Sequence, residues 1–371
     1  MTQIEVAVPP RSYAAFIENG LLERAGEHLR GVLGEDASSL FVITVAPVRH
    51  RWGKKLLKSL TGAGFHATFV EMPDGEPHKK LATVERLAEK LVAGRADRES
   101  VVVAFGGGVV GDVAGLLASV YMRGVRLVQI PTTVLAQVDA SIGGKTGVNL
   151  RTGKNLLGTF YQPMTVLIDP EVLSTLPERE FRAGLYESLK CGVIGNESLF
   201  SQLENCDFEK LRHDPQLLQK IIADSVKLKA AVVTADEREH SLRRVLNFGH
   251  TIGHALEAES GYRRFLHGEA VGWGMIAATR IAERVKYCED GTAERITNAV
   301  LALGPLPKVN ARSREILRLM QTDKKTRNRR LHFVLPRRVG EVQVVNDVPE
   351  QVVLESVDEL RKLSGPTKRT H

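Results

Sequence analysis

The sequence predicts an α/β domain with a doubly wound parallel sheet over residues 1–176 and a mainly α-helical domain over residues 177–371. In the first half, short apolar runs alternate with helical patterns, which is typical of a parallel sheet covered by helices on both faces. Beyond Pro177 strand-like runs become rare and long helical patterns dominate. The chain of 371 residues also exceeds the size at which single cores stop growing, about 250–300 residues, so two domains are expected.

The first half supplies the predicted strands in chain order. The N-terminal residues alternate apolar and polar side chains, as a strand does. The apolar, β-branched runs that follow are residues 39–45, 66–71, 100–105 and 125–130. Helical spacing over residues 81–92 and 113–121 predicts helices between these strands.

The second half predicts helices from Glu178 to about Leu303. In the helix predicted over residues 215–233, Lys229 falls on the stripe that also carries Leu218 and Ile222. Residues 331–335 and 342–345 predict two short strands within this helical region.

Composition restricts the class of partner. A net charge of +7 and a pI near 9.3 favour an anionic partner, whereas an aromatic content of 5% argues against a stacking platform for single-stranded nucleic acid. The most apolar stretch, residues 101–121, is interrupted by glycines and Asp112 and is a poor membrane span. We therefore expect neither nucleic acid nor a membrane as partner. The basic run at residues 324–330 is either a solvated face or a functional segment, and the basic pair at 368–369 belongs to a frayed tail.

Cysteine use predicts the compartment. Three cysteines, none paired at metal-binding spacing, and an N-terminus without a basic region followed by an apolar core favour a reducing environment. We expect a cytoplasmic protein.

A glycine-rich turn follows the third apolar run. Gly106, Gly108 and Gly111 have the G-x-G-x-x-G spacing that lets a backbone approach a pyrophosphate at a helix N-terminus. The alternative is a tight turn without a ligand. The acidic residue that dehydrogenases place roughly 20 positions further on is missing, because residues 121–138 contain no Asp or Glu. The pattern therefore favours a nucleotide site but not an ordinary dehydrogenase.

A set of metal-binding side chain types lies in the second half. His250 and His254 are four residues apart and share a helical face, with His267 as a further candidate. Glu187 is the carboxylate that would complete a three-ligand catalytic zinc site. It lies one helical turn from Lys190 on an apolar stripe, where charges are costly unless they are used. The alternatives are ordinary core or surface histidines and an exposed ion pair between Glu187 and Lys190.

Several cationic side chains lie at positions that are not typical of a solvent-exposed face. Lys229 is on an apolar stripe, Lys145 and Lys154 lie in glycine-rich segments interpreted as loops, and Arg243 is one turn before Asn247. The alternatives are a snorkelling lysine and plain turns. Together with a metal site, these cations indicate a substrate with more than one negative charge.

From about Asp74 to Gly340, the sequence resembles the 3-dehydroquinate synthase family of sugar-phosphate cyclases. The most specific stretches are PTTVLAQVD at 131–139, GGKTGVN at 143–149, KNLLG at 154–158, NFGHTIGH at 247–254 and LHGEA at 266–270. The resemblance implies a Rossmann-like NAD domain joined to a helical metal domain, with the active site between them.

The resemblance also implies a role for individual residues. One zinc (or cobalt) ion per subunit would be held by Glu187, His250 and His267, with His254 beside it shuttling protons. NAD would contact Glu76, Lys79, Gly106, Gly107, Gly108, Asp112, Thr132, Thr133, Asp139, Lys145, Lys154 and Thr175. The substrate would contact Lys145, Asn155, Lys190, Lys229, Arg243, Asn247 and Lys325. Arg123 resembles an arginine that reaches a neighbouring subunit's phosphate site, which implies a homodimer.

The implied reaction converts 3-deoxy-D-arabino-heptulosonate 7-phosphate to 3-dehydroquinate by transient oxidation with NAD, phosphate elimination, re-reduction and an intramolecular aldol cyclisation. Two departures from the family stand out. Residues 44–47 lack the acidic or amide pair near the adenosine, so NAD is bound less tightly or in another way, and His240 and Ser241 replace a glycine-containing turn. The alternatives are another sugar-phosphate cyclase of the amino-dehydroquinate or inosose synthase type, a metal-dependent alcohol dehydrogenase of related fold, and a non-catalytic descendant.

Overall fold

A computed structural model of the chain describes residues 1–37, 39–322 and 331–365. Its contacts divide the chain into two compact units. The first comprises Met1–Pro177 and Leu211–Arg238, and the second comprises Glu178–Lys210 and Glu239–His371 as far as these are described. Because this division reflects packing alone, the assignment of NAD binding to residues 1–176 and of metal binding to residues 177–371 stays a prediction.

A parallel sheet forms the centre of the first unit. The strands of this unit are β1 (Thr2–Val6), β2 (Tyr13–Ile17), β3 (Ser39–Thr44), β4 (His66–Glu71), β5 (Val101–Gly106), β6 (Arg126–Pro131), β7 (Lys145–Leu150), β8 (Gly153–Phe160) and β9 (Thr165–Ile168). The sheet has seven strands in the order β1-β2-β9-β6-β5-β3-β4, and only the β1–β2 pair among them is antiparallel. Every residue of the inner strand β5 is buried, as its unbroken apolar run predicts.

Helices cover this sheet. They are α1 (Ala25–Leu33), α2 (Ala46–Val48), α3 (Lys54–Gly62), α4 (Leu81–Ala93) and α5 (Gly108–Val120). Leu87 of α4 and Val113 of α5 pack with Ile43, Val102 and Ala104 in one apolar core. The predicted α/β fold class of the first half is confirmed, since the strands predicted over 39–45, 66–71, 100–105 and 125–130 all form.

The hairpin of β7 and β8 was not predicted, because its glycines indicated loops around Lys145 and Lys154. The two strands pair antiparallel, with Gly147 opposite Gly158. A Cβ on Gly158 would lie 2.0 Å from the carbonyl oxygen of Thr146. The glycines therefore allow a close approach of two strands, which is one of their positional roles in sheets.

The remaining elements follow Pro177. They are α6 (Glu178–Gly195), α7 (Glu197–Glu204), α8 (Phe208–His213), α9 (Pro215–Ala235), α10 (His250–Glu259), α11 (His267–Arg284), α12 (Thr292–Ala302), α13 (Ser313–Thr322), β10 (Phe333–Arg338), β11 (Glu341–Val345) and α14 (Glu350–Leu363). Helix α9 belongs to the first unit, where Thr234 Oγ1 accepts a hydrogen bond from the Ala7 N–H at 3.1 Å. None of the helices described here has the length and apolarity needed to cross a bilayer.

Helices α10 and α11 of the second unit touch through their backbones. Gly249, which precedes α10, has φ of +78°. A Cβ on Gly274 of α11 would lie 1.8 Å from the carbonyl oxygen of Gly249. A Cβ on Gly253 would lie 2.9 Å from the carbonyl oxygen of Ala270. The absence of side chains at these glycines sets the spacing of the two helices.

We expect Gly274→Ala to destabilise the protein by about 1–3 kcal/mol, because the added methyl group forces α10 and α11 apart. Urea unfolding measures this loss. The control is Gly31→Ala in α1, where a Cβ meets nothing within 4 Å and the substitution should stabilise by about 0.5–1 kcal/mol. A Gly274→Ala protein as stable as the parent would contradict this packing.

Candidate active site

Two consecutive helices of the second unit place three histidines together. His250 and His267 are the first residues of α10 and α11, and His254 follows one turn into α10. One ring nitrogen from each histidine lies within 4.8 Å of the others. The structure therefore brings these side chains together, and which of them bind a metal stays a prediction.

The carboxylate of Glu187 faces two of these histidines. Its Oε1 lies 3.7 Å from His250 Nε2 and 3.6 Å from His267 Nε2, and its side chain is 1% exposed. Lys190 forms a buried ion pair with it, yet neither carboxylate oxygen accepts a well-directed hydrogen bond from the described part of the chain. Buried acceptors without donors are rare in native structures. One carboxylate and two imidazoles form a donor set that suits zinc, so these residues fit a divalent ion.

In both histidines that face Glu187, the second ring nitrogen, Nδ1, lies against an oxygen atom. His250 Nδ1 lies 3.1 Å from the carbonyl oxygen of Phe248, and His267 Nδ1 lies 3.3 Å from Glu257 Oε2. Burial lowers the pKa of His250 well below its usual range, and the nearby charge of Lys190 lowers that pKa further. His250 is therefore neutral at pH 7, which is the form that binds metals.

Two cationic side chains of the second unit are also buried. Lys190 is 1% exposed and Arg243 is 2% exposed. The Asn247 Nδ2 group donates to Glu239 Oε1 at 2.6 Å. Neither Glu239 nor Glu257 was predicted from the sequence. Glu239 lies in the irregular segment before the 3₁₀ helix Leu242–Asn247, where no spacing rule applies, but Glu257 lies seven residues after His250 and shares its helical face.

The predicted phosphate-binding turn lies in the first unit, between β5 and α5. A Cβ on Gly106 would lie 2.6 Å from Val110 Cγ2, and one on Gly107 would lie 3.1 Å from Thr133 Cγ2. Gly108 is the first residue of α5, so the unpaired N–H groups of that helix begin at the turn. This geometry suits a phosphate group.

A polar cluster adjoins the turn within the same unit. Lys79, 4% exposed, pairs with Asp112 and also donates to Asn155 Oδ1. Burial raises the pKa of the Asp112 carboxyl, and the charge of Lys79 opposes that rise. Asn149 donates to Glu76 Oε1 at 2.7 Å, and Lys154 lies 3.8 Å from the same oxygen. The structure thus brings residues that were predicted to contact NAD together with Asn155, which was predicted to contact the substrate.

Lys229 provides a second link between the two predicted sets. It is 6% exposed on α9, and its Nζ lies 2.5 Å from Asp139 Oδ1. Thr175 is engaged elsewhere in the first unit: its Oγ1 accepts a hydrogen bond from Trp52 at 2.9 Å, and its carbonyl oxygen accepts one from Arg51.

The other predicted residues have simpler surroundings. Thr132 is buried, and its Oγ1 has no hydrogen-bond partner within residues 1–37, 39–322 and 331–365. Lys145 is exposed at the start of β7, and Arg123 follows α5 with φ of +69°. Lys325 and the basic runs at 324–330 and 368–369 lie outside the described residues.

Comparison with known proteins agrees with the resemblance. Residues 69–183 match a family model described as 3-dehydroquinate synthase N-terminal, and residues 184–326 match one described as 3-dehydroquinate synthase C-terminal. The 3-dehydroquinate synthase of Koribacter versatilis is 53% identical over 364 residues, covering 98% of this chain and 99% of the relative. That of Gloeobacter violaceus is 46% identical, covering 97% and 100%.

Solved structures show the same fold in related enzymes. A Streptomyces hygroscopicus 2-epi-5-epi-valiolone synthase with NAD⁺ and Zn²⁺ bound is 31% identical, with a TM-score of 0.87 and coverage of 96% and 99%. A 2-deoxy-scyllo-inosose synthase complexed with carbaglucose-6-phosphate, NAD⁺ and Co²⁺ is 26% identical, with a TM-score of 0.83 and coverage of 96% and 100%. A maleylacetate reductase from Agrobacterium tumefaciens, 13% identical with a TM-score of 0.68 over 99% of this chain and all of that one, shares the fold alone. By its sequence relatives and by both family models, the chain belongs to the 3-dehydroquinate synthase family.

Proposed function

We propose that this protein converts 3-deoxy-D-arabino-heptulosonate 7-phosphate to 3-dehydroquinate and phosphate. The observation that carries the proposal is the buried Glu187 carboxylate facing Nε2 of His250 and His267. It occurs in a chain whose relatives, at 40–53% identity, bear the name 3-dehydroquinate synthase.

Glu187, His250 and His267 would hold a zinc or cobalt ion, the metals described in the two similar cyclases. Three protein ligands leave a coordination position open for substrate. A bound ion lowers the pKa of a substrate hydroxyl and so prepares it for oxidation. His254 lies beside the ligands, where it would accept and return the proton.

NAD would occupy the first unit, with its pyrophosphate at the turn of Gly106, Gly107 and Gly108. The remaining contacts that we propose are Glu76, Lys79, Asp112, Thr132, Thr133, Asp139, Lys145, Lys154 and Thr175. Bound there, NAD would supply reversible hydride transfer within one turnover, so no net NADH would accumulate.

The substrate's carboxylate, hydroxyls and phosphate would meet buried cations. Lys190, Lys229 and Arg243 are 1%, 6% and 2% exposed, and anionic groups compensate for the cost of burying them. Lys145, Asn155, Asn247 and Lys325 complete the proposed set. These side chains would orient the sugar while oxidation acidifies the adjacent C–H bond. Loss of that proton would then expel phosphate. The carbonyl would be reduced again, and the ring would open before an aldol step closes the carbocycle.

The proposal is tested with purified protein, NAD, a divalent metal and the seven-carbon phosphate. We expect phosphate release and the cyclic product without net NADH. NADH formed in proportion to substrate, without phosphate, would instead support an alcohol dehydrogenase. Turnover of a different sugar phosphate alone would support another cyclase.

Lys190→Ala should lower kcat by about 10²–10³-fold, because a buried cation that faces substrate is lost. The control is Lys210→Ala, an exposed lysine on α8, which should retain full activity.

Metal content tests the proposed ligands directly. The parent protein, purified with zinc, should hold about one ion per chain, and Glu187→Gln should hold far less because a neutral amide is a poor zinc ligand. Elemental analysis after gel filtration measures both. Glu180→Gln, on an exposed position of the same helix, is the matched control and should keep its metal. Equal metal content in the Glu187→Gln and parent proteins would contradict the assignment.

A homodimer that shares residues between subunits is the second part of the proposal. Arg123 and Met122 have φ of +69° and +47°, a region in which side chains other than glycine are strained. Nearby, Thr159 of β8 bonds to Ser119 of α5 at 2.9 Å. Exposed apolar side chains lie at the end of α5, just after it and along β8: Val120, Met122, Leu156, Leu157 and Phe160, each at least 40% exposed. A second copy would cover such a surface and bring Arg123 to the neighbouring site.

Mixing two inactive variants tests this sharing. Subunits carrying Arg123→Ala and subunits carrying Lys190→Ala, dissociated and reassociated together, should regain about a quarter of parental activity, because each mixed dimer has one intact site. Kinetic assay before and after mixing measures the gain. No recovery in mixed dimers verified by mass spectrometry would show that Arg123 acts within its own subunit.

We also propose that the reaction takes place in the cytoplasm, because three cysteines without metal-binding spacing are typical of a reducing compartment.

A further inference from the structure

We propose that Glu257 is a positioning residue for the metal ligand His267. Its carboxylate holds the Nδ1 side of the imidazole, so that Nε2 points to the metal position. This inference rests on the proposed metal site, and Glu257 was not among the residues predicted from the sequence.

The geometry places Glu257 behind the ring. It lies on α10, three residues after His254, and is 2% exposed. Its Oε2 is 3.3 Å from His267 Nδ1, whereas His267 Nε2 is 3.6 Å from Glu187 Oε1. The two carboxylates therefore approach opposite nitrogens of one ring. With the proton on Nδ1 donated to Glu257, the lone pair of Nε2 is left for a cation.

His250 has the same orientation with a different acceptor. Its Nδ1 faces the carbonyl oxygen of Phe248 at 3.1 Å, and its Nε2 is 3.7 Å from Glu187 Oε1. Both rings thus present Nε2 to the same carboxylate oxygen. Only the ring of His267 is backed by a group that carries a full negative charge.

That charge distinguishes a metal-directed role from a structural one. A carboxylate that accepts from Nδ1–H makes the imidazole a stronger donor and adds negative charge around a cation. This contribution depends on the ion and appears only when the ion is bound. Glu257 should therefore strengthen metal binding without stabilising the metal-free fold.

The experiment compares Glu257→Gln with the parent in two measurements. Gln keeps the shape and an oxygen acceptor but removes the charge. Competition with a chelator should show zinc binding weakened about 10–100-fold. The visible absorption of the cobalt-loaded protein should shift as the ring of His267 reorients. The urea midpoint of the metal-free protein should stay equal to the parental value.

Two further variants complete the design. Glu257→Asp keeps the charge at a longer distance and should recover part of the affinity. Glu283→Gln removes the same charge from an exposed position on α11 and should leave zinc binding unchanged.

Zinc affinity within about twofold of the parent would overturn the proposal. A fall in the metal-free urea midpoint together with affinity would also overturn it, because that pattern marks a structural residue. A parent protein that binds no zinc would instead refute the metal site of the proposed function, a result distinct from either of these.

Discussion

The second unit is organised around a carboxylate that its own surroundings leave incomplete. Removing an ionised carboxylate from water costs several kcal/mol even after relaxation. Lys190 offsets part of that cost for Glu187, but neither oxygen receives a well-directed hydrogen bond from the described residues. Helices α10 and α11 then hold two imidazoles against the carboxylate, and their glycine contact leaves little freedom to move away. The fold thus brings together the donors that we propose for a cation.

Several residues of the proposed site could be predicted from the sequence because they are charged at positions where the helical pattern favours apolar residues. Glu187, Lys190 and Lys229 stand on helical stripes that are otherwise apolar, and the structure buries all of them. Such conflicts between pattern and residue type are expected at functional sites. Glu257 escaped notice because a single acidic residue near a helix end looks like an ordinary surface group. Its importance depends on His267, which reaches it from the next helix, and periodicity within one helix does not show such contacts.

The fold was predictable where burial determines the pattern. Strands β3, β5 and β6 are covered on both faces, so their apolar runs are nearly continuous and easily recognised. The hairpin of β7 and β8 was missed because its glycines, which permit close strand contact, resemble loop residues. The length of α9 was also predicted nearly to the residue, but its place in the first unit was not, because helical periodicity shows which face is buried and not what covers it.

The position of α9 has a consequence for dissecting the protein into fragments. The helix reaches the first unit at widely separated points: Thr234 bonds to Ala7, Gln219 accepts from the Asn19 N–H at 3.0 Å, and Lys229 pairs with Asp139. A gene truncated after Pro177 would encode the sheet without this helix and expose the apolar side chains that it covers. A soluble fragment of the first unit would therefore need residues 211–238 grafted back through a new linker. Residues 211–238 belong to the first unit but follow residues 178–210 of the second unit in the chain. Exchanging the front and back halves of the chain between homologues would therefore combine the sheet of one protein with the α9 helix of another.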